Sequence, residues 1–340
     1  MSVVEFMEKH YRHFNARETL AAAKGYHEFT EKGGLMMVCL AGAMSTAEIG
    51  ISLAPLIRAG KVHAITTTGA NIEEDLFNLF GNSRYKLQPK WRYLTMEDDL
   101  KTREEGFNRV TDTCIPEDVM IEIHEAMRDL WAEAGKKGET HFHWEYFYKL
   151  IRSGFFKGKN EVPMENSWLV AACEMDVPVY TAGFEDSTLG NMFCADVMQG
   201  KVKSHGVIRH GTEQFEHLTN WYYESQKKHD IGFFQIGGGI AGDFAMCVIP
   251  ALVFDHEKKD CKCWSYFCHI GDSTTSYGSY SGCPANEKVS WYKLQPGTPN
   301  YTINSDASIV APLVFEYVLE KNHLAAKAKI LHNELVKITV

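Results

Sequence analysis

The sequence predicts an α/β fold: a Rossmann-like, doubly wound and mostly parallel sheet that carries a helical insertion. Two observations predict it. Runs of strand length alternate with segments of helical period in a βαβα rhythm, and the strand runs are continuously apolar instead of alternating. Continuous apolarity marks strands buried on both faces, as in a parallel sheet covered by helices on either side.

LMMVCLAG (35–42) reads as the first strand and STAEIGISLAPLIRAG (45–60) as a helix that Ser45 can cap and Gly60 can end. VHAITTTG (62–69) and NIEEDLFNLFG (71–81) repeat the pair. The rhythm returns with NSWLVAACEMD (166–176) leading to VPVYTAG (177–183), TEQFEHLTNWYYESQKK (212–228) leading to IGFFQIGGG (231–239), and WSYFCHIG (264–271). ASIVAPLVFEYVLEK (307–321) is the last helix and closes the core. Residues 82–165 are more charged and richer in aromatics, with helical patterns at PEDVMIEIHEAMRDLWAEAGKK (116–137) and HFHWEYFYKLI (141–151). They read as an insertion, a helical cover on a single domain spanning 1–340, since no internal repeat, low-complexity tract or Gly/Ser linker interrupts the chain.

At 340 residues the chain can bury a full core. It holds no run of 18 apolar residues and its first twenty residues carry acids without an apolar signal region, so neither a membrane span nor secretion is expected. Nine cysteines, an odd number set mostly in apolar runs, read as buried thiols of a reducing compartment. The expected location is cytoplasmic. The net charge of −9 and the dispersed basic residues leave no electrostatic footprint for nucleic acid, and suit cationic small molecules better.

Several loops fall where open α/β sheets bind ligands. IGGGI (236–240) follows a strand and precedes an apolar helix, a tight turn or a place to offer backbone N–H groups to a phosphate. TTTGANIEED (66–75) puts threonines at a strand end before Glu73, Glu74 and Asp75; the acids read as compensation of a helix dipole or, with the threonines, as a grip on a ribose. In EDSTLGNM (185–192) and NSDASIV (304–310), Asp186 and Asp306 read as N-caps or as ligand contacts. CKCWSYFCH (261–269) offers thiols and His269, but it reads as a buried strand without paired CxxC spacing, and no metal site is expected. NEKVSWYKLQ (286–295) places Glu287, Trp291 and Lys293 together after a Gly/Ser/Tyr loop; a lysine there reads first as a solvated charge.

Taken together and in this order, the threonine pair with IEEDL, EDSTLGNM, IGGG, the Gly/Ser loop running into NEKVSWYK, and SDAS resemble the deoxyhypusine synthases and their bacterial relatives over roughly residues 12–322. The resemblance implies a Rossmann-like fold, a homotetramer of paired dimers with active sites at subunit interfaces, and NAD-dependent transfer of the 4-aminobutyl group of spermidine through a lysine imine to an acceptor amine. It implies that Lys293 is the nucleophile, with Trp291 offering a ring face to a substrate ammonium and Glu287 a counter-charge. It implies NAD contacts from Ser45, Thr67, Thr68, Glu74, Asp186, Gly238, Gly239 and Asp306. The chain departs from the family at four polyamine-pocket positions: Asn191 stands for an aspartate, Asp243 for a histidine, and Tyr277 and Tyr280 for aspartates. The transfer chemistry is therefore expected to be kept and the donor pocket rebuilt, with Asp243 and Glu287 pairing substrate ammonium groups. A small diamine acceptor, as in homospermidine synthesis, is the expected use. A true deoxyhypusine synthase acting on a protein lysine and a non-catalytic nucleotide-binding regulator are the alternatives.

Overall fold

A computed structural model describes residues 1–275 and 278–338, with side chains as far as Leu324. Six parallel strands form the central sheet: β1 (Leu35–Leu40), β2 (Ala64–Thr67), β3 (Val179–Thr181), β4 (Ile231–Ile236), β5 (Tyr266–Gly271) and β6 (Asn300–Asn304). Their order is β3-β2-β1-β4-β5-β6. The chain order reverses between β1 and β4, which opens a crevice beyond the carboxyl ends of those two strands.

The continuous apolarity of β1 has the expected cause. Met36, Val38 and Leu40 pack into one core with Tyr26, Leu53 and Phe315, while Met37 and Cys39 pack into a second with Leu218, Tyr222, Ala245 and Trp264 on the opposite face. Helices Phe14–Glu31, Gly50–Arg58 and Ala307–Ile338 cover the first face; helices Gly211–Ser225 and Gly239–Met246 cover the second. β6 escaped sequence reading because it is an edge strand, in which only Ile303 is buried.

The first helix starts later than its pattern suggests, at Gly50. Ser45 does not cap it: its hydroxyl donates to the Asn71 carbonyl (2.7 Å) and accepts from the Trp168 indole N–H (2.9 Å) inside the protein. Gly60 does end it, at φ +67°, with its N–H on the Ile57 carbonyl and the next N–H on that of Leu56. The 82–165 segment supplies helices Glu117–Lys137 and His143–Arg152, as its patterns indicate. It also holds a small antiparallel sheet of Lys86–Leu87, Phe107–Val110 and Thr113–Pro116, whose strands are too short and polar to announce themselves.

Helix Gly69–Gly81 begins at the Thr68 cap, so Glu73, Glu74 and Asp75 lie beyond its first turn and do not compensate its own dipole. All three are buried. Glu73 accepts the N–H groups of Thr188 (2.8 Å) and Leu189 (2.7 Å), at the start of helix Thr188–Met198. Asp75 accepts those of Trp168 (3.3 Å) and Leu169 (3.1 Å), at the start of helix Trp168–Glu174, together with the Ser167 hydroxyl. Glu74 accepts the Thr46 hydroxyl (2.6 Å). One helix thus supplies the terminal acceptors of two others. Burial outweighs these hydrogen bonds and pushes Glu73 up to about 7 and Asp75 up to about 6.

A carboxyl raised in the folded state binds its proton more tightly there than in the unfolded chain. The associated stability is present below the ordinary carboxylate range and is lost as pH rises through the folded values, here between about 4 and 7. The contribution of these two carboxyls to unfolding free energy should therefore fall from pH 5 to pH 8 in calorimetric or denaturant titrations, against an opposite contribution from buried His63, His143 and His269, which burial lowers. Glu73→Gln should reduce that fall by about 1–3 kcal/mol, and an unchanged pH slope would exclude Glu73 as its source.

Candidate active site

Lys293 leaves helix Glu287–Ser290 through an irregular turn. Trp291 ends the helix, and Tyr292 adopts φ +57°, a left-handed conformation uncommon for a bulky residue. The Lys293 N–H then closes on the Lys288 carbonyl (3.0 Å), and the Lys293 carbonyl accepts from the Trp264 N–H (3.2 Å), just ahead of β5. This reversal sends neighbouring side chains in opposite directions: Trp291 is 60% exposed, whereas Lys293 is 7% exposed. The solvated-charge reading of Lys293 does not survive this burial.

The Lys293 ammonium reaches Asp243 Oδ1 at 2.7 Å. Asp243 stands one turn into helix Gly239–Met246 and also accepts from the Cys247 thiol at 3.5 Å. The rings of Tyr280 and Trp291 lie 5.5 and 5.9 Å from the Lys293 nitrogen. With Glu287 these side chains line a cavity of about 440 Å³. Tyr280 is fixed by its hydroxyl, which donates to Gln235 Oε1 (2.9 Å), and the same amide's N–H donates to the Gly237 carbonyl (2.8 Å). Gly242 leaves the Tyr280 ring its place: a Cβ there would stand 2.8 Å from the ring edge. Nothing in the sequence singles out Lys288, yet it lines this cavity at 1% exposure, with its ammonium 4.4 Å from the Tyr280 ring centre. Only burial distinguishes it from a surface lysine.

A second cavity, about 580 Å³, lies over the carboxyl ends of β1, β4, β5 and β6, at the reversal of strand order. Ala41–Met44, Gly237–Gly239, Gly271–Ser273, Ser281 and Ser305–Ala307 wall it. Gly237 and Gly239 take φ of +70° and +62°. A Cβ on Gly238 would fall 2.5 Å from the Ser281 Cα, so backbone meets backbone here and only glycine fits. Asp306 caps the last helix, its Oδ1 accepting the Ser308 N–H at 2.8 Å.

The two cavities share walls. Gly239 faces the cleft while Asp243, one helical turn later, holds Lys293; Ser281 faces the cleft while Tyr280 and Gly282 line the lysine cavity. The other expected site residues are distributed unevenly. Thr68 borders the cleft through a bond from its hydroxyl to the Gly42 carbonyl (3.1 Å), and Asp186 is exposed on the loop after β3. Ser45, Thr67 and Glu74 are buried, with their oxygens bonded to Asn71, Leu40 and Thr46. Asn191 donates to the Glu185 carbonyl (2.6 Å) and takes no part in the lysine cavity. Tyr277 lies outside the described residues. Asp243, expected on a substrate ammonium, is bonded to Lys293.

The model of the deoxyhypusine synthase family matches residues 2–318. The chain belongs to the deoxyhypusine synthase family. It is 30% identical over 331 residues to a deoxyhypusine synthase-like protein of Nostoc punctiforme, covering 94% of this chain and 80% of that one. It is 24% identical over 309 residues to a probable deoxyhypusine synthase of Archaeoglobus fulgidus, covering 91% and 90%. A crystal structure of a candidate deoxyhypusine synthase from Entamoeba histolytica superposes with a TM-score of 0.58 at 11% identity, covering 93% of each chain, which is a likeness of fold. Membership in the deoxyhypusine synthase family supports a transferase acting by aminobutyl transfer, in a family that uses NAD. Among the described residues no helix is long and apolar enough to cross a membrane, and no group of three or more metal-binding side chains converges.

Gly238→Val should place side-chain atoms against the Ser281 backbone and close the glycine-walled cleft from within. We expect NAD affinity to fall at least about tenfold by calorimetry, since the backbone can no longer approach a phosphate. Unaltered affinity would show that the dinucleotide does not use this cleft.

Proposed function

We propose that the protein transfers a 4-aminobutyl-type group from a polyamine to an acceptor amine, with Lys293 as the covalent carrier and NAD as a cofactor that is required but not consumed. The observation that carries this reading is the buried Lys293 paired with Asp243 at 2.7 Å, in a cavity that shares walls with the glycine-lined cleft. A nucleotide-binding regulator has no use for such a lysine.

The cleft fits a dinucleotide by its own geometry. Gly238 is pressed so close to Ser281 that no side chain is admitted, and helix Gly239–Met246 begins at the cleft, where the Gly239 N–H donates to the Ser281 hydroxyl (3.0 Å). Asp306, beside it, is a carboxylate suited to ribose hydroxyls. Thr68 and Asp186, on the neighbouring strand ends, are proposed to complete the grip. NAD bound there would supply hydride acceptance and return next to the substrate cavity.

Lys293 attacks only as a neutral amine, so it must shed a proton, and Asp243 is placed to receive it. The Trp291 ring face and the exposed Glu287 carboxylate at the cavity wall are suited to an alkylammonium. Aromatic and amide groups at Tyr280 and Asn191, where acids would favour a long polycation, support a small diamine acceptor and hence a homospermidine-type product. An assembly of several copies, a homotetramer by family likeness, is part of the proposal: Asn191 and Lys293 lie apart within one protomer, and exposed Trp291 lines the lysine cavity and exposed Ile240 the cavity beside it, as a subunit interface would require.

Borohydride added to enzyme, NAD and polyamine should leave a stable mass increase on the peptide containing Lys293. Lys293→Arg should bind NAD but give neither adduct nor product, because a guanidinium stays protonated. Full transfer by that variant would overturn the assignment, and steady accumulation of NADH would indicate a simple amine dehydrogenase. Asp243→Asn should keep the fold and lower kcat/KM by about 10- to 100-fold, or about 1–3 kcal/mol, the scale of a charge-assisted hydrogen bond.

A further inference from the structure

Lys288 is the charged group of the Lys293 cavity to which the transfer chemistry assigns no task. Its ammonium donates to the Cys283 carbonyl at 3.3 Å and lies over the rings of Tyr280 (4.4 Å) and Phe267 (5.4 Å). Among the described residues it forms no ion pair. Carbonyl oxygen and ring faces are partners that favour a cation without neutralising it, and they work against burial, which lowers the Lys288 ammonium from the ordinary lysine range. The other groups around it do not neutralise it either. Burial lowers His269, on β5, to about 4 and holds Tyr280 well above the ordinary tyrosine range, so both are uncharged at neutral pH. Asp243 is already bonded to Lys293, and the Cys247 thiol beside it is raised by burial. Cys283 meets Lys288 through its carbonyl and also through its side chain, which favours the ammonium, and Glu287 is exposed.

The charges of the cavity are therefore Asp243 and Glu287 against Lys288 and Lys293, which cancel. A polyamine enters with an ammonium for nearly every nitrogen, and each buried ammonium needs its own acceptor. Once Asp243 is bonded to Lys293, Glu287 is the remaining carboxylate, and the Lys288 ammonium stands beside Tyr280 within a few ångströms of any substrate nitrogen placed there.

Resting on the aminobutyl-transfer reading, we infer that Lys288 is a specificity-determining residue: its buried ammonium bars a further substrate ammonium from the Tyr280 end of the cavity and restricts the donor to a short diamine. Such a donor enters with a single ammonium on Glu287 and Trp291 and its other nitrogen toward Lys293. Transfer from 1,4-diaminobutane to an acceptor amine releases ammonia, where spermidine would release 1,3-diaminopropane. The two donors are thus told apart by the small product.

The test compares wild type with Lys288→Met, which keeps the stem and removes the charge; a melting temperature at or above that of wild type shows that the variant folds. Binding of 1,4-diaminobutane and of spermidine to each NAD-loaded protein is measured by calorimetry, and ammonia and 1,3-diaminopropane are quantified during turnover. Wild type should favour the diamine, and Lys288→Met should shift the affinity ratio toward spermidine by about tenfold or more, through the loss of one like-charge repulsion at short range. A wild type that binds spermidine more tightly, or a ratio that Lys288→Met leaves unchanged, overturns the inference. Borohydride trapping on Lys293 runs alongside: its absence with both donors counts against the transfer reading, while the affinity ratio still decides the role of Lys288.

Discussion

The site depends on the adjacency of β1 and β4. Both strands are buried on two faces, so helices must cover both sides of the sheet, and the connections leave in opposite directions where the strand order reverses. That divergence leaves a gap beyond the strand ends which no crossover helix fills. The glycine turn after β4 borders the gap from one side and the 41–44 turn after β1 from the other. The cleft is thus a consequence of topology, and the glycines allow close backbone approach there.

Proximity between the cleft and the lysine follows from two short pieces of chain. Helix Gly239–Met246 rises about 6 Å between Gly239 and Asp243, so the residue that opens the cleft and the residue that holds Lys293 lie one turn apart. The 280–282 turn does the same from the opposite wall. The ion pair itself is asymmetric: the Lys293 side chain is 8% exposed and that of Asp243 is 43% exposed. An amine so enclosed needs its acceptor, since losing it would leave a buried charge unpaired, whereas the half-exposed carboxylate retains room for a substrate group.

The buried carboxylates of Glu73, Glu74 and Asp75 show how the fold accommodates a local conflict. Three adjacent acids inside a protein lose hydration, which raises each of them, and Glu74 adds a smaller repulsion to Glu73. Their compensation is structural, because Glu73 and Asp75 satisfy N–H groups that two neighbouring helices would otherwise bury without partners. One of those helices follows the loop that carries Asp186 and contains Asn191 itself, so the acids set part of the surface near the cleft.

The sequence by itself determined the parallel sheet, because burial on both faces writes an unbroken apolar run into each central strand. It also determined the glycine turn after β4 and, through the order of its motifs, the family. β6 and the small antiparallel sheet were not legible, since edge and short strands keep polar residues on their open sides. The tertiary structure alone decided which polar residues turn inward. Ser45, Thr67 and Glu74 share residue types and loop positions with Thr68 and Asp186, yet they turn inward to satisfy buried partners. Lys288 looks in sequence like any surface lysine; only the packing of Tyr280 and Phe267 around its ammonium makes it part of the cavity. A residue type names the bonds it can make, but burial and partners are set by segments far apart in the chain, and those meet only when it folds.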